Sequence, residues 1–145
     1  MIRNKLTGYS LAGILVIIAI VYCMVANSEY EDSVEMSEMG IIGEANEKQF
    51  ETSFFISAAI VNFVLAGLVI KSNRSVIPYY ASAGVSAILI AVYVASRTVG
   101  VPVVGIEYYI GRLDLISKIL QAVAIVLSGI AIHSIRKSKT LKELA

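Results

Sequence analysis

The sequence holds few of the residues that build disulfides, metal sites and catalytic centres. Cys23 is the only cysteine and His133 the only histidine among 145 residues, so no intramolecular disulfide or thiolate cluster can form. No phosphate-binding glycine loop and no Cys-x-x-Cys pair is present. The sequence therefore predicts a protein that is not an enzyme, with no catalytic, cofactor-binding or metal-binding residues and no cofactor.

Charge is also scarce. Charged residues make up 16% of the chain and hydrophobic residues 57%, whereas soluble domains carry about 25% charged residues. The basic residues form no long run, so a nucleic-acid partner is not expected. The excess apolar surface indicates a lipid bilayer as the surroundings of the chain.

Four apolar segments are each about 20 residues long, the length that crosses a ~30 Å hydrocarbon core as a helix. The first is longer than a signal-peptide core of ~7–15 residues, and we predict that it is retained. Backbone groups in lipid must pair within their own segment, which requires helices. We predict an all-α, integral membrane four-helix bundle with two extracytoplasmic loops, forming a single domain over residues 1–145. Its spans are residues 7–26, 52–70, 75–96 and 115–135.

The distribution of Lys and Arg predicts the orientation. Eight lie in the two terminal tails and between spans two and three, and four lie on the opposite side. Cytoplasmic segments carry the excess of these residues. We therefore expect both termini in the cytoplasm of a multi-pass plasma-membrane protein.

Polar and small residues within the spans suggest packing. A small-residue row recurs every fourth position of the third span, which favours close approach of another helix; it consists of Ala83, Ala87, Ala91 and Ala95. Asn62 lies near the middle of the second span and should avoid lipid. It is interpreted as a hydrogen-bonding link between helices or, alternatively, as a contact for a substrate or ion.

The start of the fourth span carries Asp114, Lys118 and Gln121 on one helix face, with Ser128 further along it. An acid followed four residues later by a base favours an ion pair. We interpret these residues as a structural pair that seats the helix. A proton or ion path is the alternative.

Both outer loops have distinctive compositions. Residues 27–51 hold eight of the eleven acids, with Met36 and Met39 as a pair of soft ligands whose metal binding the sequence leaves open. In residues 97–118, Arg97 could pair with Glu107 or Asp114. Arg97 and Arg112 could instead form an anion site. We expect the two loops to form a compact cap on which a partner docks.

The residues just before the fourth span carry a resemblance. They read Arg97-Thr98-Val99-Gly100-Val101-Pro102, then Gly105-Ile106-Glu107, Ile110-Gly111, Leu113-Asp114 and Ser117-Lys118. This resembles an Arg-Thr-x-Gly-Leu-Pro motif of uncharacterised four-helix membrane proteins of bacteria and archaea, with Val101 in place of leucine. The resemblance implies the topology and no chemistry. In size and style the chain is also similar to small accessory subunits of archaeal membrane complexes such as the copper ammonia monooxygenase.

Three hypotheses for function follow. The first is a non-catalytic accessory subunit that binds other membrane protein subunits of a larger complex, for example one of the archaeal ammonia-monooxygenase type. The second is a small oligomeric channel or transporter that uses Asn62 and the face formed by Asp114, Lys118 and Gln121. The third is a metal-handling membrane protein.

Overall fold

The computed structural model describes residues 2–71, 75–102, 105–106, 108 and 111–143. These residues form an all-α architecture of four helices: α1 (Ile2–Glu38), α2 (Ile42–Lys71), α3 (Ile77–Thr98) and α4 (Arg112–Glu143). Each helix is long and apolar enough to cross a membrane. The chain is therefore consistent with a multi-pass four-helix bundle in a lipid bilayer.

The helix α1 packs against α2 and α4. It runs along α2 over most of its length, α4 packs against both α1 and α3, and α2 and α3 barely touch. Leu11, Leu15 and Ile18 of α1 are fully buried at the centre, and Ala124 of α4 is buried with them. Large apolar side chains also cover much of the outer surface, as expected where lipid replaces water as the neighbour.

The longest helix corrects the first predicted loop. At 37 residues and 1.5 Å per residue, α1 is about 55 Å long, well beyond the ~30 Å of a hydrocarbon core. It continues to Glu38, and α2 begins at Ile42. Residues 27–51 are therefore not a loop but a helical hairpin extending from the spans, and "hairpin" below denotes these residues.

The hairpin folds this way because its residues favour helix even though they are polar. Glutamate, methionine, alanine, lysine and glutamine are all good helix formers. The turn lies at Gly40, whose φ of 78° is left-handed and suits glycine. Ile41 donates its N–H to the Met36 carbonyl at 2.9 Å, closing the end of α1. The residues of α1 change from apolar to polar along its length, but the helix continues without interruption to Glu38.

The connection between α3 and α4 contains a tight turn. Val101 and Gly105 exchange backbone hydrogen bonds of 3.0 and 2.9 Å, and Gly100 and Gly105 both have positive φ. A Cβ on Gly100 would lie 2.9 Å from the carbonyl carbon of Gly105, so only glycine fits. Val99 and Tyr108 are exposed. The first of the two expected loops is therefore a helical hairpin. The cap itself stays a prediction, because residues 103–104, 107 and 109–110 of the second loop lie outside the described residues.

Candidate functional site

One face of α4 lines the interior of the bundle. Ser117, Gln121 and Ser128 are buried, with exposures of 1%, 0% and 0%. Their spacing of four and seven residues keeps them on one face of the helix. A span whose inward face is polar and whose outward face is apolar needs polar partners on the neighbouring helices.

Tyr22 of α1 is the main partner of this face. Gln121 Nε2 donates a hydrogen bond to the Tyr22 hydroxyl, and Lys118 Nζ donates to the same oxygen at 3.0 Å. Tyr22 is 2% exposed, and its ring stacks on Phe55 of α2 at 5.7 Å between centroids. A single side chain thus joins α1, α2 and α4.

Lys118 is held by aromatic rings as well. Its Nζ lies 5.4 Å from the centroid of Tyr22 and 5.0 Å from that of Tyr93 on α3. Rings within about 6 Å attract a cation through their quadrupole. We call Tyr22, Tyr93, Lys118 and Gln121 the Tyr22 cluster. It joins all four helices at the end of the bundle from which the hairpin extends, since Phe55 anchors it to α2.

The structure corrects the predicted pairing of Asp114 with Lys118. Asp114 instead pairs with Arg97 of α3, with Oδ2 3.1 Å from the guanidinium, and Lys118 turns to Tyr22. The Arg97 guanidinium also lies 5.0 Å from the Tyr93 ring centroid. Arg97 thus has one of its two predicted partners and closes the connection between α3 and α4. The other predicted partner, Glu107, lies outside the described residues.

Arg112, the second cation of the predicted anion site, is exposed at the first residue of α4. Arg97 pairs with Asp114, and this pairing does not test whether Arg97 and Arg112 bind an anion. The anion site therefore stays a prediction.

Asn62 is buried in α2 as expected, but its amide does not link two helices. Its Nδ2 donates to the Ala58 carbonyl of its own helix at 2.8 Å, because an asparagine can reach the carbonyl one turn back. Its Oδ1 has no hydrogen-bond partner among the described residues. The link predicted across the bundle is therefore replaced by a bond within α2.

Asn62 is one of several buried polar groups at span depth. Gln121 Oε1, Ser86 Oγ and Ser128 Oγ also lack a hydrogen-bond partner in the part of the chain that the structure describes. A buried unpaired polar atom costs about 1–3 kcal/mol. Each of these atoms can still form a hydrogen bond with a water molecule or a polar solute inside the bundle.

The alanine row lies at the edge of the packed face. Ala83 and Ala95 are half-buried, and Ala87 and Ala91 are exposed. The buried face of α3 instead includes Tyr79, Ser82, Ser86 and Leu89. Close packing of the alanine row against another helix stays a prediction.

The hairpin holds a charge cluster that the sequence did not reveal. Lys48 Nζ lies 2.8 Å from Glu29 Oε2 and 2.9 Å from Glu51 Oε2, bridging α1 and α2. The spacing of Lys48 and Glu51 hinted at a pair within α2. Glu29 joins them only because residues 27–38 are helical, which the loop prediction missed.

Burial and pairing set the pKa values in this cluster, which precedes the second span as the sequence predicts it, from residue 52. Burial raises the pKa of Glu51 to about 7, its hydrogen bond with Lys48 acts in the opposite direction, and the nearby Glu29 raises it again. Burial lowers the pKa of Lys48, but the hydrogen bonds with Glu29 and Glu51 outweigh this and raise it above the ordinary value. The cluster therefore takes up a proton near neutral pH.

Metal-ligating groups are spread out. Within the described residues, no group of three or more His, Cys, Asp or Glu side chains could hold a metal ion. Met36 is half-buried and Met39 exposed near the hairpin turn, while His133 and Cys23 are exposed on α4 and α1. The question of a metal at Met36 and Met39 stays where the sequence left it.

Comparison with protein-family models, curated proteins and solved structures finds no match to this chain. The resemblance of residues 97–118 to uncharacterised four-helix membrane proteins therefore rests on its motif alone.

Proposed function

We propose that this chain is a non-catalytic subunit of a larger integral membrane assembly, and that its hairpin docks a partner subunit outside the membrane. One observation carries this proposal: apolar side chains lie exposed at the turn of a helical hairpin whose eight acids favour water over lipid. Met39, Ile41 and Ile42 at the turn are 60%, 42% and 57% exposed. Lipid accounts for exposed apolar residues on the spans but not on a hairpin with eight acids.

The length of the hairpin fits this role. Residues 27–38 of α1 extend about 18 Å beyond the first span, at 1.5 Å per residue. The cross-helix bridge through Lys48 and the bonds at the turn fix its shape. A preformed helical hairpin can bind without the ordering cost of a flexible loop.

The proposal includes an orientation. Eight Lys and Arg residues lie in the tails and the α2–α3 connection, against four on the hairpin side. By the positive-inside rule this places both termini in the cytoplasm and the hairpin outside the plasma membrane.

Site-specific photocrosslinking in native membranes tests the proposal. A photoreactive phenylalanine replaces Met39 at the hairpin turn or, as a control, the exposed Tyr9 near the other end of α1. We expect one reproducible crosslinked membrane protein from position 39, which also co-purifies in mild detergent at constant ratio. Purification of only monomer, without crosslinks at either position, would overturn the proposal.

A small channel or transporter is the second candidate. It is favoured by the unpaired oxygens of Asn62, Gln121 and Ser128 inside the bundle, which could bind water or a polar solute. Flux in proteoliposomes should then fall in Asn62→Leu and Gln121→Leu. Flux that survives both substitutions would remove these residues from any path.

A further inference from the structure

A groove runs along one side of the hairpin. It has a volume of about 300 Å³ and is partly open to solvent. On α1 its wall contains Tyr30, Val34 and Glu38 in successive turns. On α2 the facing wall begins with Ile42 and Ala45. Residues four and three apart share a helix face, so both walls are continuous over about two turns.

Small side chains form the floor of the groove, and larger, mostly apolar side chains form its edges. Ser33 and Ala45 at the bottom are buried, whereas Tyr30, Val34 and Ile42 at the edges are exposed. Short side chains between two antiparallel helices leave a groove into which the side chains of a third helix can insert. Helices that bind in such grooves present apolar anchors at every third and fourth position.

The charge around the groove is asymmetric. Glu38 lines the α1 wall, and the exposed Glu31 and Glu35 continue the acidic strip on the adjacent face of α1. The α2 wall is completed by the amides of Asn46 and Gln49. The occupant therefore meets anions on one side and neutral groups on the other.

This charge selects among occupants. A second copy would bring its own hairpin of eight acids and one base, and like charges brought together disfavour pairing. The basic C-terminal part of this chain cannot reach, because α4 starts beside Tyr22 and runs away from the hairpin. A segment of another polypeptide with basic residues complements the strip.

We propose that this groove binds an amphipathic helix of a partner polypeptide. The apolar side chains of that helix fill the groove over Ser33 and Ala45. Its Lys or Arg residues face the acidic strip of Glu31, Glu35 and Glu38. The inference rests on the proposed role as an assembly subunit, and it names the chemistry of the segment that docks.

Binding of a synthetic probe to the full chain in zwitterionic nanodiscs tests the inference. The probe is a fluorescent Leu/Lys peptide with Leu at helical spacing. Comparison peptides have Glu in place of Lys, or the same Leu/Lys composition in alternating order. We expect saturable binding of the helical Leu/Lys peptide alone, above its binding to empty nanodiscs. Equal binding of the alternating peptide would overturn the inference, since attraction by charge alone would then explain the affinity.

Charge reversal with a matched control locates the site. Glu35→Lys with Glu38→Lys changes the acidic strip, and Asp32→Lys with Glu44→Lys makes the same net change on helix faces turned away from the groove. Replacing two attractive charges at the edge of the groove by repulsive ones predicts roughly tenfold weaker binding for the first pair. The control pair should bind nearly as the unchanged chain does. Equal losses in both pairs would contradict the groove as the site.

The two proposals can fail separately. A chain that is monomeric in native membranes but binds the peptide in the groove would refute the assembly role alone. A stable assembly whose crosslinks arise from Met39 at the hairpin turn, and not from Tyr30 or Val34 at the edge of the groove, would refute the groove alone.

Discussion

The hairpin and the Tyr22 cluster share α1, and they hold their charges in different ways. In the hairpin, five of the eight acids are exposed, and Lys48 joins the more buried Glu29 and Glu51 across α1 and α2. In the Tyr22 cluster, one lysine is held inside the bundle by a hydroxyl and two rings. Water can solvate surplus charge in the hairpin, whereas the bundle has to supply every partner itself. Stability should therefore depend on the cluster, and recognition on the hairpin.

Removing a tyrosine from each region gives the largest contrast. Tyr22→Ala deletes a buried ring and the acceptor of Lys118 and Gln121, so we expect a loss of about 3–5 kcal/mol in the free energy of unfolding. Tyr30→Ala removes an exposed ring from the hairpin and should change it by no more than about 0.5 kcal/mol. Unfolding by SDS in mixed micelles, followed by circular dichroism, measures both. Equal losses would show that the hairpin supports the fold as much as the bundle does.

Two glycines separate the cost of conformation from the cost of contact. Gly40 and Gly100 both have positive φ, but a Cβ meets nothing within 4 Å at Gly40 and meets backbone at 2.9 Å at Gly100. Gly40→Ala should cost about 1–2 kcal/mol, and Gly100→Ala clearly more because backbone must also move. Gly129→Ala, in open space on α4, serves as the control and should be neutral or slightly stabilising. A Gly100→Ala variant as stable as Gly40→Ala would mean that the 101–105 turn yields freely.

The ion pairs of the two regions should also differ. We expect a double-mutant cycle on Arg97→Gln and Asp114→Asn to give a coupling of about 1–2 kcal/mol, since Tyr93 covers the guanidinium and low dielectric strengthens the pair. A cycle on Lys48→Gln and Glu29→Gln should give about 0.5 kcal/mol, since Lys48 divides its interaction between Glu29 and Glu51 and its side chain is more exposed than that of Arg97, 24% against 14%. Raising the salt concentration should weaken the hairpin pair more. A hairpin coupling larger than that of Arg97 and Asp114 would reverse the comparison.

The same contrast explains what could be predicted from sequence. Hydropathy placed all four helices because lipid demands long apolar runs, and helical spacing placed Gln121 and Ser128 on one face. The hairpin was missed because its acids were read as a loop, although Glu and Met favour helix as much as many apolar residues do. Spacing within α4 also gave Lys118 the wrong partner. Only the packing of α1 against α4 brings Tyr22 within hydrogen-bonding distance of Lys118. A contact between residues so far apart in sequence cannot be predicted from local spacing.

The most local predicted effect is a pH dependence confined to the hairpin. Because the pKa of Glu51 is raised to about 7 from an ordinary value of 4.5, the folded hairpin holds a proton that the unfolded chain releases. The stability that this proton contributes is fully present below pH 4.5 and is lost as the pH rises through 7. Lys48 stays charged throughout, since its pKa is raised. Amide hydrogen exchange, corrected for its intrinsic pH dependence, should show falling protection of residues 27–51 between pH 5.5 and about 8.

Glu51→Gln provides the decisive control for this pH effect. An amide keeps the shape of the protonated carboxyl and cannot ionise, so protection of the hairpin should become independent of pH and stay near its low-pH level. Glu44→Gln, at an exposed position of α2, should leave the dependence intact. Protection around Gln121 should not respond in any variant, because no charge of the hairpin reaches the Tyr22 cluster. Parallel changes in both regions would show that the hairpin and the bundle open as a single unit, and the division of roles between them would then be wrong.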